Sequence, residues 1–532
     1  MGTTIRSVAE YEYEIGALMR RKDLAGAGLA ALACREAWPH VASGWLYGSI
    51  AALLADDKIS ALALVDLWLE RHPRDFRCQL QRAECLFSLG RRGEARQAAA
   101  AAVEAAMGPP VDVAALDAVG QFLSHAGEQH AAAEAYDRAI AAAPGDPTWY
   151  GKRAVVRRYL GDLEGARADH AAVLERAPGE PESLKALADL GAQTRDGPVL
   201  DAASAALAAV PADSPAAITL HFALAKALDD LGRHAESWDH LLAANRLERA
   251  RFRYESSLDR NALEHIAAAY PEAETSRPDS TGERPIFIVG LPRSGTTLLE
   301  RIVSGHSQVD SAGELSALSN AMGLAVDRLG GAQPANWLEY ADALPNVEEA
   351  WVAREYLARA RPYRGDRPRF IDKMPMNFVY LAAIFRAFPQ ARVLHLTRHP
   401  LAVSYAIFKT RFSQAYPFAY DLGEIAEYLL GYRQLMRHWH RVLPGRILDV
   451  AYEDLVGDLE KTTRGVLAYL DLPFESACLE FHRNPSAVTT ASAIQVRQPL
   501  YDRSLEHWRH YAEWLAPVRE RLERAGVDVE RR

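Results

Sequence analysis

The segment that most constrains this chain is Gly290-Leu-Pro-Arg-Ser-Gly-Thr-Thr297. A short apolar run, Pro285-Ile-Phe-Ile-Val289, precedes it, and an amphipathic run, Leu298-Leu-Glu-Arg-Ile-Val303, follows it. The order predicts a strand, a glycine-bounded loop and a helix. Glycines let the backbone approach an anion closely, and a helix N-terminus turns unpaired N–H groups toward it. An anion cradle at the end of a strand is therefore expected.

The loop resembles the phosphate-binding pattern GxxxxGK[ST] with one change, Thr296 in the place of the lysine. Its positive charge must come from elsewhere in the chain. The molecule as a whole does not supply it, because 70 acidic residues against 61 lysines and arginines leave a net charge of −9. No broad basic field recruits nucleic acid or an anionic membrane, so a bound anion needs a local basic site.

With 532 residues, the chain has room for roughly two to four domains. Prolines divide its first half: Pro39, Pro73, Pro109, Pro144, Pro178 and Pro211 recur at intervals of 33 to 36. The set Gly120, Gly127, Ala132, Tyr136, Ala139 and Pro144 is matched 34 positions later by Ala154, Gly161, Ala166, His170, Val173 and Pro178. A weaker copy runs through Ala225, Gly232, Ser237, Leu241 and Ala244. This pattern resembles the tetratricopeptide repeat, two antiparallel helices per unit with small residues where they cross. Gly127 or Gly161 would end the first helix of a unit and the proline the second. Stacked units form a solenoid with a concave face. That groove could bind an acceptor or partner, or the array could support the chain and pair it as a homodimer.

The repeat fades after about Asn245, and the polar stretch 271–284, with Pro271, Pro278 and Gly282, reads as a linker. Beyond it, Ile286–Val289, Phe370–Ile371, Val393–Thr397 and Ile447–Val450 are candidate strands alternating with helical segments. Alternation of this kind predicts a parallel sheet with helices on both faces. The expected organisation is a helical repeat domain at 1–270, the linker, and an α/β P-loop-like domain at 285–532. Ligands of such sheets sit beyond the carboxyl ends of the strands. Three polar clusters fall there: the opening loop, Asp372-Lys373-Met374-Pro375, and Arg398-His399-Pro400.

Cys34, Cys78, Cys85 and Cys478 have no metal-ligand spacing, and no metal is expected. Cys78 and Cys85 are seven apart in a helical stretch and should share a core face. A disulfide framework is not indicated, which fits a reducing compartment. The start of the chain has no apolar signal region, and no run of about 18 apolar residues could span a bilayer. A cytoplasmic location is expected.

Together the SGTT loop, the strand-end clusters and Tyr452-Glu-Asp-Leu-Val456 resemble sulfotransferases that use 3′-phosphoadenylyl sulfate (PAPS). The resemblance covers about Pro285 to Tyr511. With repeats ahead of the domain, it is similar to bacterial sulfotransferase-family proteins and distantly to protein-tyrosine sulfotransferases. It implies that Arg293, Ser294, Gly295, Thr296 and Thr297 hold the 5′-phosphosulfate, and Arg398 the 3′-phosphate. In the family a serine follows that arginine by eight positions. Here the position is Ala406, and the nearest serine, Ser404, is turned away from it by about 200° on a helix. Glu314 matches the general base that takes the acceptor proton, with His306 as the rival base. Lys373 and Ser492 match the groups at the bridging oxygen, where negative charge grows as the sulfuryl leaves. For Lys373 the plain alternative is a salt bridge with Asp372. Arg497, Tyr501 and Trp508 fall in a segment resembling the loop that covers the nucleotide, and Tyr452 lies in the second matching segment.

The expected activity is transfer of a sulfuryl group from PAPS to an acceptor hydroxyl, of protein tyrosine, carbohydrate or a small molecule. Two other classes are open on the residues: a P-loop-type ATP-dependent kinase or NTPase, against which Thr296 speaks, and a non-enzymatic scaffold with a degenerate sulfotransferase domain, which Ala406 favours.

Overall fold

The computed structural model describes residues 6–193, 198–272, 281–330, 334–412, 415–484, 486–490, 493–497 and 503–529. The chain forms two compact units, residues 1–162 with 361–363, and residues 163–360 with 364–532. The division falls inside the helical region. The helices from Leu163 onward belong to the same compact unit as the α/β half.

The described residues of the first unit's main segment are helical, from Val8–Arg20 to Pro147–Leu160. Helices follow one another in pairs, and the corner inside a pair needs a left-handed residue. Gly90, Gly127 and Gly161 hold such corners with φ of 75°, 80° and 85°. In the first two pairs the corner falls to Lys22 and Asp56, at φ 60° and 63°. That loss of glycine is why the repeat pattern is weak near the N-terminus. A Cβ on Gly120 would lie 2.9 Å from the Tyr136 ring, so this position must stay small where two helices cross. The periodic prolines lie just past the second helices: Pro144 follows Gln129–Ala142, and Pro109 follows Arg92–Ala106. All four cysteines are buried and free, and Cys78 and Cys85 are both fully enclosed.

In the second unit, further helices run from Leu163–Arg176 to Ser256–Ala269. Glu180 and Ser214 cap helices that begin with proline, Pro181–Asp189 and Pro215–Asp230. Among the described residues, the α/β half is built on five strands: β1 (Ile286–Gly290), β2 (Val309–Ser311), β3 (Arg369–Asp372), β4 (Arg392–Thr397) and β5 (Ile447–Ala451). All pair in parallel, in the order β2-β3-β1-β4-β5. Four of these strands are the expected ones. The fifth, β2, is three residues long at the sheet edge and has no apolar run to announce it.

β1 is buried along its whole length and alternates between two cores. Ile286 and Ile288 join Leu299, Ile302, Ile371, Leu394 and Leu396 on one face. Phe287 packs on the other, with its ring 5.7 Å from Tyr356. Because β3 and β4 flank β1 on opposite sides, the strand order reverses beside β1. A crevice at the carboxyl ends of β3, β1 and β4 is the consequence.

Candidate active site

Gly290 ends β1 with φ 155°, and a Cβ there would sit 2.7 Å from the Leu396 carbonyl of β4. The loop turns at Arg293 and Gly295, with φ of 64° and 113°. A Cβ on Gly295 would meet the Tyr452 ring at 2.5 Å. Gly295 is also the N-cap of helix Thr296–Ser304, and no side chain caps that helix. Its N–H end stays available to an anion. Ser294 donates its hydroxyl to the Leu291 carbonyl at 2.8 Å, closing the turn. Thr296 and Thr297 are buried, and the Thr297 hydroxyl lies 3.3 Å from that of Thr490. Arg293 donates to Gln495 at 3.2 Å.

Arg398, just past β4, donates to the Arg293 carbonyl at 3.0 Å and stacks over the Tyr452 ring at 4.5 Å. Tyr452 thus bears on Gly295 and Arg398 together, fixing loop and arginine against one ring. The next residue, His399, donates its N–H to Glu453 at 2.9 Å and stacks on Trp508 with ring centres 4.6 Å apart. Segment 503–511 is held in turn by Asp229 of helix Pro215–Asp230. Asp229 accepts from His507 at 2.8 Å and from Tyr511 at 2.6 Å. Burial raises the Asp229 carboxyl, but the bonds from His507 and Tyr511 and the nearby Lys409 outweigh it and hold the pKa low.

Ser404 is fully buried and donates its hydroxyl to the Pro400 carbonyl at 2.7 Å, one turn back. Its proton is used inside its own helix, so it presents no donor to a phosphate in this arrangement. Arg497 donates to the Ser486 carbonyl at 3.3 Å, and burial lowers its pKa. Arg301 binds the same carbonyl at 3.0 Å. Ser492 and Tyr501 lie outside the described residues.

The ladder between β2 and β3 continues past both strands. The Ala312 N–H reaches the Ile371 carbonyl and the Lys373 N–H reaches the Gly313 carbonyl, each at 2.9 Å. Glu314 is thereby carried alongside Lys373. The Lys373 side chain is fully buried and bonds to Glu314 Oε1, with Glu300 Oε2 at 3.6 Å. Glu314 keeps 40% of its side chain exposed, whereas Glu300 keeps 11% and accepts from the Ser311 hydroxyl. Asp372 is not the lysine's partner. Neighbouring residues of a strand point to opposite faces, and Asp372 turns instead to Tyr356 at 3.1 Å and the Met374 N–H at 3.1 Å. Burial pushes its carboxyl up to about 7 against those bonds and others from Asn377 and the Leu315 backbone.

His306 takes no part in this cluster. It precedes β2, at the opposite end of the sheet. Its Nδ1 accepts from the Gln308 N–H at 3.1 Å, and its Nε2 lies 3.0 Å from the Pro473 carbonyl. Both ring nitrogens serve local packing.

Two participants escaped the sequence reasoning. Glu300 is a carboxylate on a helix whose described side chains from Thr296 to Val303 are all buried, and that burial was not legible from the apolar pattern. Lys409, just past helix Pro400–Phe408, has its pKa brought down to about 8, by burial first and then by the charges of Arg293, Arg398 and Lys226, against the pull of Asp229.

Part of the chain is similar to known proteins. Residues 285–476 match the model of the sulfotransferase family. An uncharacterized protein of Aquifex aeolicus is 33% identical over 320 residues, 58% of this chain and 42% of that one. The protein-tyrosine sulfotransferase of Drosophila melanogaster is 26% identical over 241 residues, 42% of this chain and 46% of that protein. The chain spans less than half the length of either relative. Among solved structures, the sulfotransferase domain of the Synechococcus PCC 7002 olefin synthase aligns over 48% of this chain and 98% of that domain, at 23% identity and a TM-score of 0.34. Residues 285–476 form a sulfotransferase-family domain, preceded by an all-helical region.

Proposed function

We propose that this chain transfers a sulfuryl group from PAPS to an acceptor hydroxyl, with Glu314 as base and Lys373 at the leaving oxygen. The observation that carries this reading is the fully buried Lys373 ammonium bonded to a half-exposed Glu314 at the carboxyl edge of the sheet. A lysine so enclosed has its charge pre-positioned and poorly screened, which favours a transition state that gathers negative charge. The exposed side of Glu314 faces where an acceptor can arrive, and the pKa of Tyr416 is raised by burial first and by the Glu314 charge second.

The residues present fit such a donor. Two close-approach glycines, an uncapped helix N-terminus and the loop hydroxyls suit the 5′-phosphosulfate, and Arg398 suits a second phosphate. The donor supplies the activated sulfuryl group. The acceptor oxygen forms a new bond to sulfur while the sulfur–oxygen bond to the nucleotide phosphate breaks in line. Glu314 takes the acceptor proton, and Lys373 steadies the departing adenosine 3′,5′-bisphosphate, with Ser492 beside it on the family pattern. Tyr452 and Arg497 would help to seat the nucleotide, and Ser404 would act only after its bond to Pro400 is broken. The phenol of a protein tyrosine is the acceptor this reading favours, supported by the name of the Drosophila relative. The helices from Pro181 to Arg249 act as a brace: Arg249 grips Glu424 through two bonds of 2.8 Å, and Asn245 donates to the Phe408 carbonyl at 3.0 Å.

Calorimetry with adenosine 3′,5′-bisphosphate, set against ATP with Mg²⁺, tests the donor. Preferential binding of the bisphosphate is expected, and preference for ATP would establish the kinase reading instead. Glu314→Gln should keep bisphosphate affinity while losing well over tenfold in turnover of a tyrosine peptide. A carbohydrate or small-molecule hydroxyl labelled in preference to the peptide would reassign the acceptor.

A further inference from the structure

His395, His440 and Asp449 converge on one point beside the sheet. His395 lies between Leu394 and Leu396 on β4, so it turns to the sheet face opposite theirs. Asp449 is its register partner on β5, the edge strand, and turns to that same face. Helix Leu422–Val442 brings Tyr432 and His440 there, about two turns apart and so on one helix face. Asp449 Oδ1 is 2.7 Å from His395 Nδ1 and 3.0 Å from His440 Nε2. One carboxylate oxygen thus meets two imidazoles, and the three ligand atoms all lie within 4.8 Å of one another.

Two imidazole nitrogens and a carboxylate oxygen are a donor set for a zinc-class divalent ion. Mg²⁺ and Ca²⁺ prefer oxygen shells, which this is not. In a tetrahedral zinc site with bonds of about 2.0–2.1 Å, ligand atoms stand about 3.3 Å apart. Each hydrogen bond to Asp449 therefore needs to open by only about 0.3–0.6 Å. The buried ring of His395 is also oriented as a ligand ring must be. Its Nε2 bonds the hydroxyl of Tyr432, itself buried. A phenol oxygen can accept the Nε2 proton, which leaves the Nδ1 lone pair for a metal. Asp449 and His440 keep 52% and 38% of their side chains exposed, so an ion can enter from solvent and water can complete its coordination.

We propose that His395 Nδ1, His440 Nε2 and Asp449 Oδ1 form a zinc site that clips the edge strand β5 and the last turn of helix Leu422–Val442 to β4, with Tyr432 orienting His395. The site shares no residue with the anion loop or with the Glu314–Lys373 pair, and it does not depend on the identity of the sulfuryl donor.

The test is titration of the full chain, freed of metal by a chelator, with ZnCl₂, read by calorimetry and by X-ray absorption at the zinc edge. One zinc per chain is expected, with two imidazoles and oxygen ligands at about 2.0 Å, and its binding should raise the melting temperature. His440→Gln and Asp449→Asn change partly exposed side chains, and each should weaken zinc binding about a hundredfold or more. Tyr432→Phe should weaken it about 10- to 100-fold. His221→Gln removes one ring of another close pair, His221 with His240, and should leave the affinity within twofold. A wild type that takes up no stoichiometric zinc, a zinc shell that contains sulfur or lacks imidazole, or an affinity kept in both His440→Gln and Asp449→Asn overturns the site and leaves three side chains joined by hydrogen bonds. The absorption spectrum is read on the wild type, so it decides the matter even where a variant fails to fold.

Discussion

Replacing Lys373 by methionine separates chemistry from architecture. The side chain is fully buried between two carboxylates, bonded to Glu314 and 3.6 Å from Glu300. Breaking a sealed ion pair by deleting one partner costs about 3–5 kcal/mol. This cluster is sealed on one side only, because Glu314 is 40% exposed and can turn into water. Glu300, at 11%, cannot leave but keeps the Ser311 hydroxyl. The stability cost should therefore fall below that range, at about 2 kcal/mol. The catalytic cost should be larger. A unit charge about 4 Å from a full negative charge gains about 4 kcal/mol at an effective dielectric of about 20. A partly developed charge gains about 3 kcal/mol, which corresponds to a factor of about 10² to 10³ in turnover. Urea denaturation and bisphosphate release with a tyrosine-peptide acceptor measure the two quantities. The double variant Lys373→Met/Glu300→Gln removes the stranded buried charge, so it should recover most of the stability and none of the turnover. Turnover that returns together with stability would refute the catalytic role and leave Lys373 as a structural ion.

Gly295→Ala places a methyl group 2.5 Å from the Tyr452 ring at a φ of 113°. Overpacking and backbone strain together should cost about 2–4 kcal/mol, and the displaced ring should release Arg398 and weaken bisphosphate binding at least tenfold; a wild-type denaturation midpoint would contradict this. Burial holds Asp372 up at about 7, above its unfolded range near 4. A raised folded pKa adds stability that is fully present at low pH and is lost as pH climbs from about 4 through about 7. Asp372→Asn should abolish that decline, and parallel stability–pH curves for the two proteins would show that the carboxyl is not so perturbed.

What the amino-acid sequence determined by itself is what local physics controls. A glycine-bounded loop between an apolar run and an amphipathic run can make little besides a strand, an anion turn and a helix. Apolar runs bounded by polar clusters placed β1, β3, β4 and β5. The glycines that end first helices, Gly127 and Gly161, are required by φ near 80° whatever surrounds them. The tertiary structure alone decided which charges meet. The edge strand β2 exists only through its pairing with β3, and that pairing carries Glu314 to Lys373. The pleat sends Asp372 to the opposite face, to Tyr356, although it is Lys373's neighbour in sequence. Ser404 sits close to the family's position but gives its proton to the Pro400 carbonyl. Turn and strand preferences are properties of a few consecutive residues. Ion pairs between loops depend on strand order and on which face each side chain occupies, and those follow only from the assembled sheet.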